Sequence, residues 1–386
     1  MRLIGSKRAQ PGLMTTKSLD APTPGPSTET PSFSLSQADL QEKVARLRDR
    51  LDQESKNRPD AFDSWTTVSR AIVSRAENGL QKLSQDGDKA ILTEDELTAA
   101  EAIVHADGTR PSFAFQDGSL LTEGEDPGDW SLVVDNYRTQ IEKTAASVGR
   151  INLNGAQKGS GFAFGDNLVL TNRHVLQVIA EPDGNGGWQF KGDVSIDFGS
   201  GQVPDTSRTF ALQESEIVTS DQVIDPYKID FDKLDYAVLR CKPDPGKTLP
   251  DPLVPETDAG YLIETRPVYA IGFPAKPKTG TYPFTLLVKL FNYVFGVKRF
   301  SPGEIDILPG ADSRDNRDTV LGYDATTLPG SSGSPVIDVH ESGSSVVGLH
   351  FAGWTEKANY AHAMAASQFR NELEDKGIDY PTAPGS

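Results

Sequence analysis

Three short stretches of this chain carry side chains suited to acyl-transfer chemistry. Gly330-Ser331-Ser332-Gly333-Ser334-Pro335 lies between two β-type runs. A serine hydroxyl is a weak nucleophile, so it needs a base to take its proton and N–H groups to hold the oxyanion. Glycines flanking Ser332 let the main chain bend around it without a Cβ clash, although a plain tight turn would look the same. Thr171-Asn172-Arg173-His174 ends an amphipathic run, and imidazole is the group best matched to general-base work near neutral pH. A single histidine in such a place is more often structural. Asp235 opens the buried-type run Asp235-Tyr236-Ala237-Val238-Leu239, where an isolated acid would be an ordinary strand-start residue. Asp230 and Asp232 are near neighbours that do not open the run, and His340 and His362 stand outside these motifs.

The elements that must position these groups are mostly short strands. Runs at 148–153, 161–164, 168–171, 194–198, 236–240, 268–272, 334–337 and 345–351 alternate with Gly, Asp and Pro, the texture of an all-β barrel or sandwich. Helices are expected over 136–146 and 366–376. Residues 1–35 are rich in Pro, Ser and Thr and read as a disordered tail. From 36 to 106 the spacing of Leu40, Val44, Leu47 and Leu51, then of Trp65, Val68, Ile72 and Leu80, predicts a small helical region. Asp86-Gly87-Asp88 lacks the Gly and Glu a calcium loop needs at its sixth and twelfth positions, where Ile91 and Leu97 stand. Residues 107–147 form a connector with one helix, and 148–386 form the domain that carries the chemistry.

Composition narrows the function. The 386 residues carry a formal net charge of -17, which repels phosphate backbones and anionic lipid, so neither nucleic acid nor membrane is an expected partner. The one cysteine, Cys241, excludes an intramolecular disulfide and a multi-cysteine metal site; no metal or cofactor is expected. The first twenty residues lack the apolar core of a signal peptide, and the apolar stretch 284–297 is interrupted by Lys289 and Asn292. A cytoplasmic protein is the expectation.

The order His174, Asp235, Ser332 differs from the Ser…Asp…His of α/β-hydrolases and the Asp…His…Ser of subtilisin. Together with Gly159-Ser160-Gly161-Phe162, Ala270-Ile271-Gly272-Phe273-Pro274 and Gly348-Leu349-His350, it makes the segment from about 148 to 366 resemble a trypsin-like serine peptidase. The resemblance is to the bacterial branch that includes glutamyl endopeptidases and Htr-type proteases. It implies a mainly β, chymotrypsin-like double β-barrel beside the small N-terminal α-helical region. It also implies a cofactor-independent endopeptidase acting on protein or peptide. Ser332 would attack the carbonyl, His174 would move the proton and Asp235 would fix the imidazole. The Gly330 and Ser332 N–H groups would form the oxyanion hole, and the run 348–353 would pair with substrate main chain.

The same resemblance places Thr326, six residues before the nucleophile, at the base of the specificity pocket, with Thr327 beside it and His350 and Gly353 on its wall. No Asp occupies that base, which argues against tryptic cleavage, although Asp324 lies close by. Thr327 and His350 could donate to a carboxylate, an acidic preference of the glutamyl-endopeptidase kind. Ser331 stands where zymogen-derived enzymes carry an Asp, and Val175 where secreted ones carry a Cys. The aromatic stretch 273–312 is either hairpin core or a lid over the cleft. Two other roles are open: a catalytically silent binding module, and an adaptor whose N-terminal helices dock a regulatory partner.

Overall fold

The computed structural model of the chain describes residues 110–122, 127–225, 228–277, 287, 290–340, 343–354 and 358–382. The expected tail at 1–35 and helical region at 36–106 lie outside them. Strands β3 (Val148–Leu153), β4 (Ala156–Ala163), β5 (Leu168–Thr171), β8 (Val194–Asp197), β9 (Thr209–Thr219) and β10 (Ala237–Lys242) close a barrel in the order β10-β5-β4-β3-β8-β9. Two short strands, β6 (Ala180–Pro182) and β7 (Trp188–Phe190), form a hairpin outside it. A second barrel runs β11-β14-β15-β16-β13-β12 and closes through the β11–β12 pair. Its strands are β11 (Pro267–Gly272), β12 (Arg299–Ile307), β13 (Val320–Tyr323), β14 (Pro335–His340), β15 (Gly343–Trp354) and β16 (Ala358–Ala363). The protein is therefore mainly β, a chymotrypsin-like double barrel.

The continuous apolar reading of β5 and β10 follows from where those strands sit. Successive side chains of a strand point to opposite faces. Val169, Ala237 and Leu239 join the core of the first barrel. Leu170, Tyr236 and Val238 join the larger cluster shared with Ile271, Leu349 and Ala363 of the second. Each strand thus lines one barrel with one face and packs toward the other barrel with its opposite face.

Four strands outside the expected runs, β9, β12, β13 and β16, complete the barrels, and β12 lies within the aromatic stretch expected to be hairpin core or a lid. Their sequences conceal them. Arg299–Ile307 holds Pro302 and Gly303, yet Pro302 lies opposite Tyr269 in the β11 register. Thr209–Thr219 alternates only over its first four residues, and Glu214, Ser215 and Glu216 then stand exposed. The helix expected at 136–146 begins earlier, as α1 (Ser131–Ala145), after α2 (Arg173–Ile179) in importance for the site but before it in the chain. A closing helix α3 spans Ser367–Asp375. Residues 110–122 form a hairpin, β1 (Phe113–Gln116) with β2 (Ser119–Leu120), in which Phe113 pairs with Phe300 of β12. The aromatic stretch contributes its own small core: Leu287, Leu290, Phe291 and Phe295 pack on Leu328. Among the described residues, no helix is long and apolar enough to cross a membrane.

The C-terminus of α1 is held by cations from both barrels. Lys298 Nζ donates to Ala145 O at 2.6 Å and to Phe198 O at 3.0 Å, and Arg208 donates to Ala146 O at 2.9 Å. These satisfy carbonyls that a helix end leaves unpaired and oppose the negative end of its dipole. Lys298 is only 1% exposed, and burial, helped by the charge of Arg208, lowers its pKa from 10.5 to about 7. The folded chain therefore binds fewer protons than the unfolded one between those values, so the stability linked to Lys298 rises with pH in that window. The Tm of wild type is expected to rise relative to that of Lys298→Met from pH 7 to pH 9. A constant difference in calorimetry would contradict a depressed lysine.

Candidate active site

Strand β5 delivers the chain to α2, and His174 sits on the first turn of that helix. Asn172 precedes the helix in an extended conformation, and its side-chain amide donates to Asp235 O at 2.9 Å. Asp235 answers with both carboxylate oxygens: Oδ1 accepts the His174 backbone N–H at 2.9 Å, and Oδ2 lies 2.6 Å from His174 Nδ1. The carboxylate is nearly enclosed and the imidazole part-exposed, at 4% and 13% of their side-chain surfaces. Burial alone would raise the Asp235 carboxyl, but the neighbouring His174, by charge and hydrogen bonding, brings it below its ordinary value. An ionised acid therefore meets a base whose ring it holds by one nitrogen.

The loop that carries Ser332 belongs to the second barrel. Gly159 shows how near it comes to His174: an added Cβ there would lie 2.8 Å from Val175 Cγ2 and 3.3 Å from Ser332 O. No hydrogen bond joins the Ser332 hydroxyl to His174 among the described residues, and such bonds commonly tighten only with substrate bound. The loop's backbone N–H groups are mostly committed. Ser331 N–H donates to Leu328 O, Gly333 N–H to His350 O and Ser334 N–H to Ser331 O, at 2.9–3.0 Å. Among the described residues the N–H groups of Gly330 and Ser332 donate to nothing in the chain. They are the pair an oxyanion would use. Gly330 adopts φ +98° and Gly333 φ +85°, a region side chains rarely enter.

Residues expected around the pocket are placed less uniformly. Thr326 is buried and its hydroxyl donates to Arg110 O at 2.5 Å. Asp324, the acid whose proximity raised a tryptic possibility, is neutralised by Arg110 at 2.6 Å and accepts Glu304 N–H at 2.7 Å. Thr327 donates its proton to Asn359 Oδ1 at 2.5 Å, which leaves its hydroxyl only lone pairs to offer. His350 Nδ1 lies 2.9 Å from the Tyr323 hydroxyl. Burial, then the charge of His174, pushes the His350 pKa down to about 3, so a positively charged His350, one of the donors expected for a carboxylate, is not what stands there near neutral pH. Gly353 faces Asn359 and Thr327. Strand β14 accompanies β15 only as far as Leu349, so the segment 351–354 of β15 has β16 on one side and no strand on the other.

Three functional supports escaped the sequence reading. Arg110 lies far upstream of the residues it holds. Tyr323 sits in an unrecognised strand. His362, set aside as outside the motifs, accepts the backbone N–H of Asp235 at 2.9 Å. Only the alternation of Asn359-Tyr360-Ala361-His362-Ala363 hints that its ring is enclosed. Among the described residues no group of three potential ligands could hold a metal ion. Gly333 yields a direct test. An added Cβ would collide with Ser160 O and Thr171 Oγ1 of the first barrel while demanding a left-handed backbone. Gly333→Ala is expected to destabilise by about 3 kcal/mol or more and to abolish activity, read as a fall in Tm and loss of hydrolysis; a native Tm would show the loop free to move.

A family model described as "Trypsin-like peptidase domain" matches residues 159–349. A probable serine protease of Lysobacter enzymogenes is 32% identical over 365 residues, covering 86% of this chain and 89% of that protein. An uncharacterised protein of Sinorhizobium fredii is 26% identical over 279 residues, 69% of this chain and 36% of that protein. Among solved structures, Rv3671c of M. tuberculosis in an inactive form aligns over 66% of this chain and 96% of its own at 20% identity and a TM-score of 0.39. The thermostable serine protease AL20 aligns over 61% and 100% at 16% identity and 0.41. With strand order, barrel closure and this similarity together, the chain belongs to the trypsin-like serine peptidases.

Proposed function

We propose that the protein is a serine endopeptidase in which Ser332, His174 and Asp235 act as one unit. The observation that carries this reading is the buried Asp235 carboxylate bound to His174 Nδ1 at 2.6 Å, with Ser332 across Gly159 from the same helix. His174 Nε2 takes the Ser332 proton as Oγ attacks the scissile carbonyl. The oxyanion forms against the N–H groups of Gly330 and Ser332. The imidazolium then gives its proton to the leaving amine, and water repeats the sequence on the acyl-enzyme. Asp235 stabilises the cation and holds the proton-bearing nitrogen toward itself. An extended peptide adds to the open side of β15 at 351–354.

Ser332→Ala and His174→Ala are each expected to remove nearly all hydrolysis at unchanged Tm, since members of such a unit fail together. Labelling by a fluorophosphonate should disappear in Ser332→Ala. Asp235→Asn is expected to lower kcat by about 10⁴-fold through the wrong tautomer. Hydrolysis retained in Ser332→Ala would refute the assignment.

The pocket's chemistry favours an acidic residue before the scissile bond, as in the glutamyl endopeptidases the chain resembles, through a neutral donor. Burial keeps Tyr323 protonated, so its hydroxyl can donate to His350 Nδ1 and leave the ring proton on Nε2. Arg110 occupies Asp324 and withdraws it from basic substrates. In a mixed peptide library, cleavage after Glu is expected to lead, and to fall in His350→Ala. Because His350 titrates near pH 3, the ratio of Glu to Ala cleavage should stay flat from pH 5 to pH 8. A steep rise toward pH 5 would mean a charged imidazole, and leading cuts after Lys or Arg would overturn the reading.

A further inference from the structure

His362 lies on β16, between β15 and β13, opposite Leu349 and Val320. It is fully buried, stacked on Phe351 with ring centroids 4.2 Å apart, and tilted against Phe369 at 5.7 Å. Its Nε2 accepts the Asp235 N–H, so its proton resides on Nδ1, and Nδ1 has no partner among the described residues. The other charged groups acting on the ring are Asp315 and Arg317; burial nevertheless keeps it neutral, with a pKa lowered to about 4. A buried imidazole with one nitrogen unsatisfied is a poor stabiliser, because the unmet group costs more than a typical bond returns.

What the ring does provide is a tie from the second barrel to Asp235 itself. Asp235 is held through its carbonyl by Asn172 and through its carboxylate by His174, all on the first barrel. Its N–H is the single hydrogen-bonding group that, among the described residues, reaches the second barrel. Ser332 belongs to that second barrel, two strands away from His362 through β14 and β15.

We propose that His362 is a positioning residue for the catalytic centre: by accepting the Asp235 N–H from the second barrel, it fixes the acid, and through it the His174 ring, in register with Ser332. The inference rests on the reading of Ser332, His174 and Asp235 given above. His362→Leu keeps the bulk and removes the acceptor. His362→Gln returns an acceptor where Nε2 lies, whereas His362→Asn places its amide near Nδ1.

The experiment compares these three variants in full-length protein for Tm, for kcat and KM on one peptide, and for the rate of fluorophosphonate labelling. His362→Leu should lower kcat and labelling by about 10- to 100-fold, the scale of a small misplacement of catalytic groups, at unchanged KM. His362→Gln should recover to within about threefold of wild type while His362→Asn should not, following the position of the acceptor. Equal kcat in all three, or a rise in KM alone, would overturn the proposal. If His362→Leu does not fold, the Gln and Asn variants decide: equal activity in the two refutes the positioning role. Ser332→Ala run alongside separates the two readings, since activity surviving there would unseat the catalytic assignment itself.

Discussion

The proposed catalytic unit is divided between two barrels and works only if they cannot slide, and Ser160 is one place where they are joined. Its N–H donates to Ser332 O at 2.8 Å, its hydroxyl donates to Gly330 O at 2.8 Å and accepts from Phe273 N–H at 3.1 Å, and its carbonyl accepts the Thr171 hydroxyl at 2.7 Å. The residue is wholly buried. Every polar group it owns therefore bonds away from water, where a broken bond leaves a costly unmet partner. One residue on β4, through its side chain and its backbone, thereby fixes both residues whose N–H groups remain unspent, and fixes them relative to the strand that leads to His174.

Around that joint the loop 324–334 is held from three directions by different physics. Arg110 grips it through an ion pair and a carbonyl, and also lies over the Trp130 ring at 5.3 Å. The aromatic cluster around Phe291 holds Leu328 by apolar packing. His350 accepts the Gly333 N–H through its carbonyl. In zymogen-derived relatives of this fold a freed amine would pair with an acid before the nucleophile. Ser331 offers no such acid, and the strap at 110–116 supplies order from a part of the chain already in place. The buried cations Arg150, Lys298 and Arg299 do similar work: each donates to main-chain carbonyls where 294–299 meets its neighbours. Their polarity is spent on loop backbone that no strand partner satisfies.

The sequence carried the motifs of the proposed catalytic unit more plainly than the barrel that holds them. His174, Asp235 and Ser332 stand in short motifs whose residue types are forced by local demands: an extended residue before a helix, an acid opening a doubly buried strand, glycines at positive φ. Strands β3 and β5 were visible because their burial is local and continuous. Strand β12 lay inside a stretch that read as either hairpin core or a lid, since Arg299 and Pro302 find their place only with the Ser112, Phe291 and Val294 carbonyls and the β11 register. Thr327 illustrates the same limit within the site. Its hydroxyl is the right group at the right place, yet Asn359, in a strand that went unrecognised, takes the proton it would have donated.

The three histidines of the site show how environment divides one side chain into different roles. His174 is part-exposed and faces a carboxylate, the setting in which an imidazole can cycle its charge. His350 and His362 are enclosed, pushed to about 3 and about 4, and so remain fixed neutral donors or acceptors near neutral pH. That division also makes the proposed acidic preference compatible with a net charge of -17. At physiological ionic strength a charge is screened over about 8 Å, so the bulk of the acidic surface slows approach without deciding what the pocket holds. In that proposal selection falls to groups within hydrogen-bonding reach, and Asp324, the acid close in sequence to the expected pocket base, is already paired with Arg110.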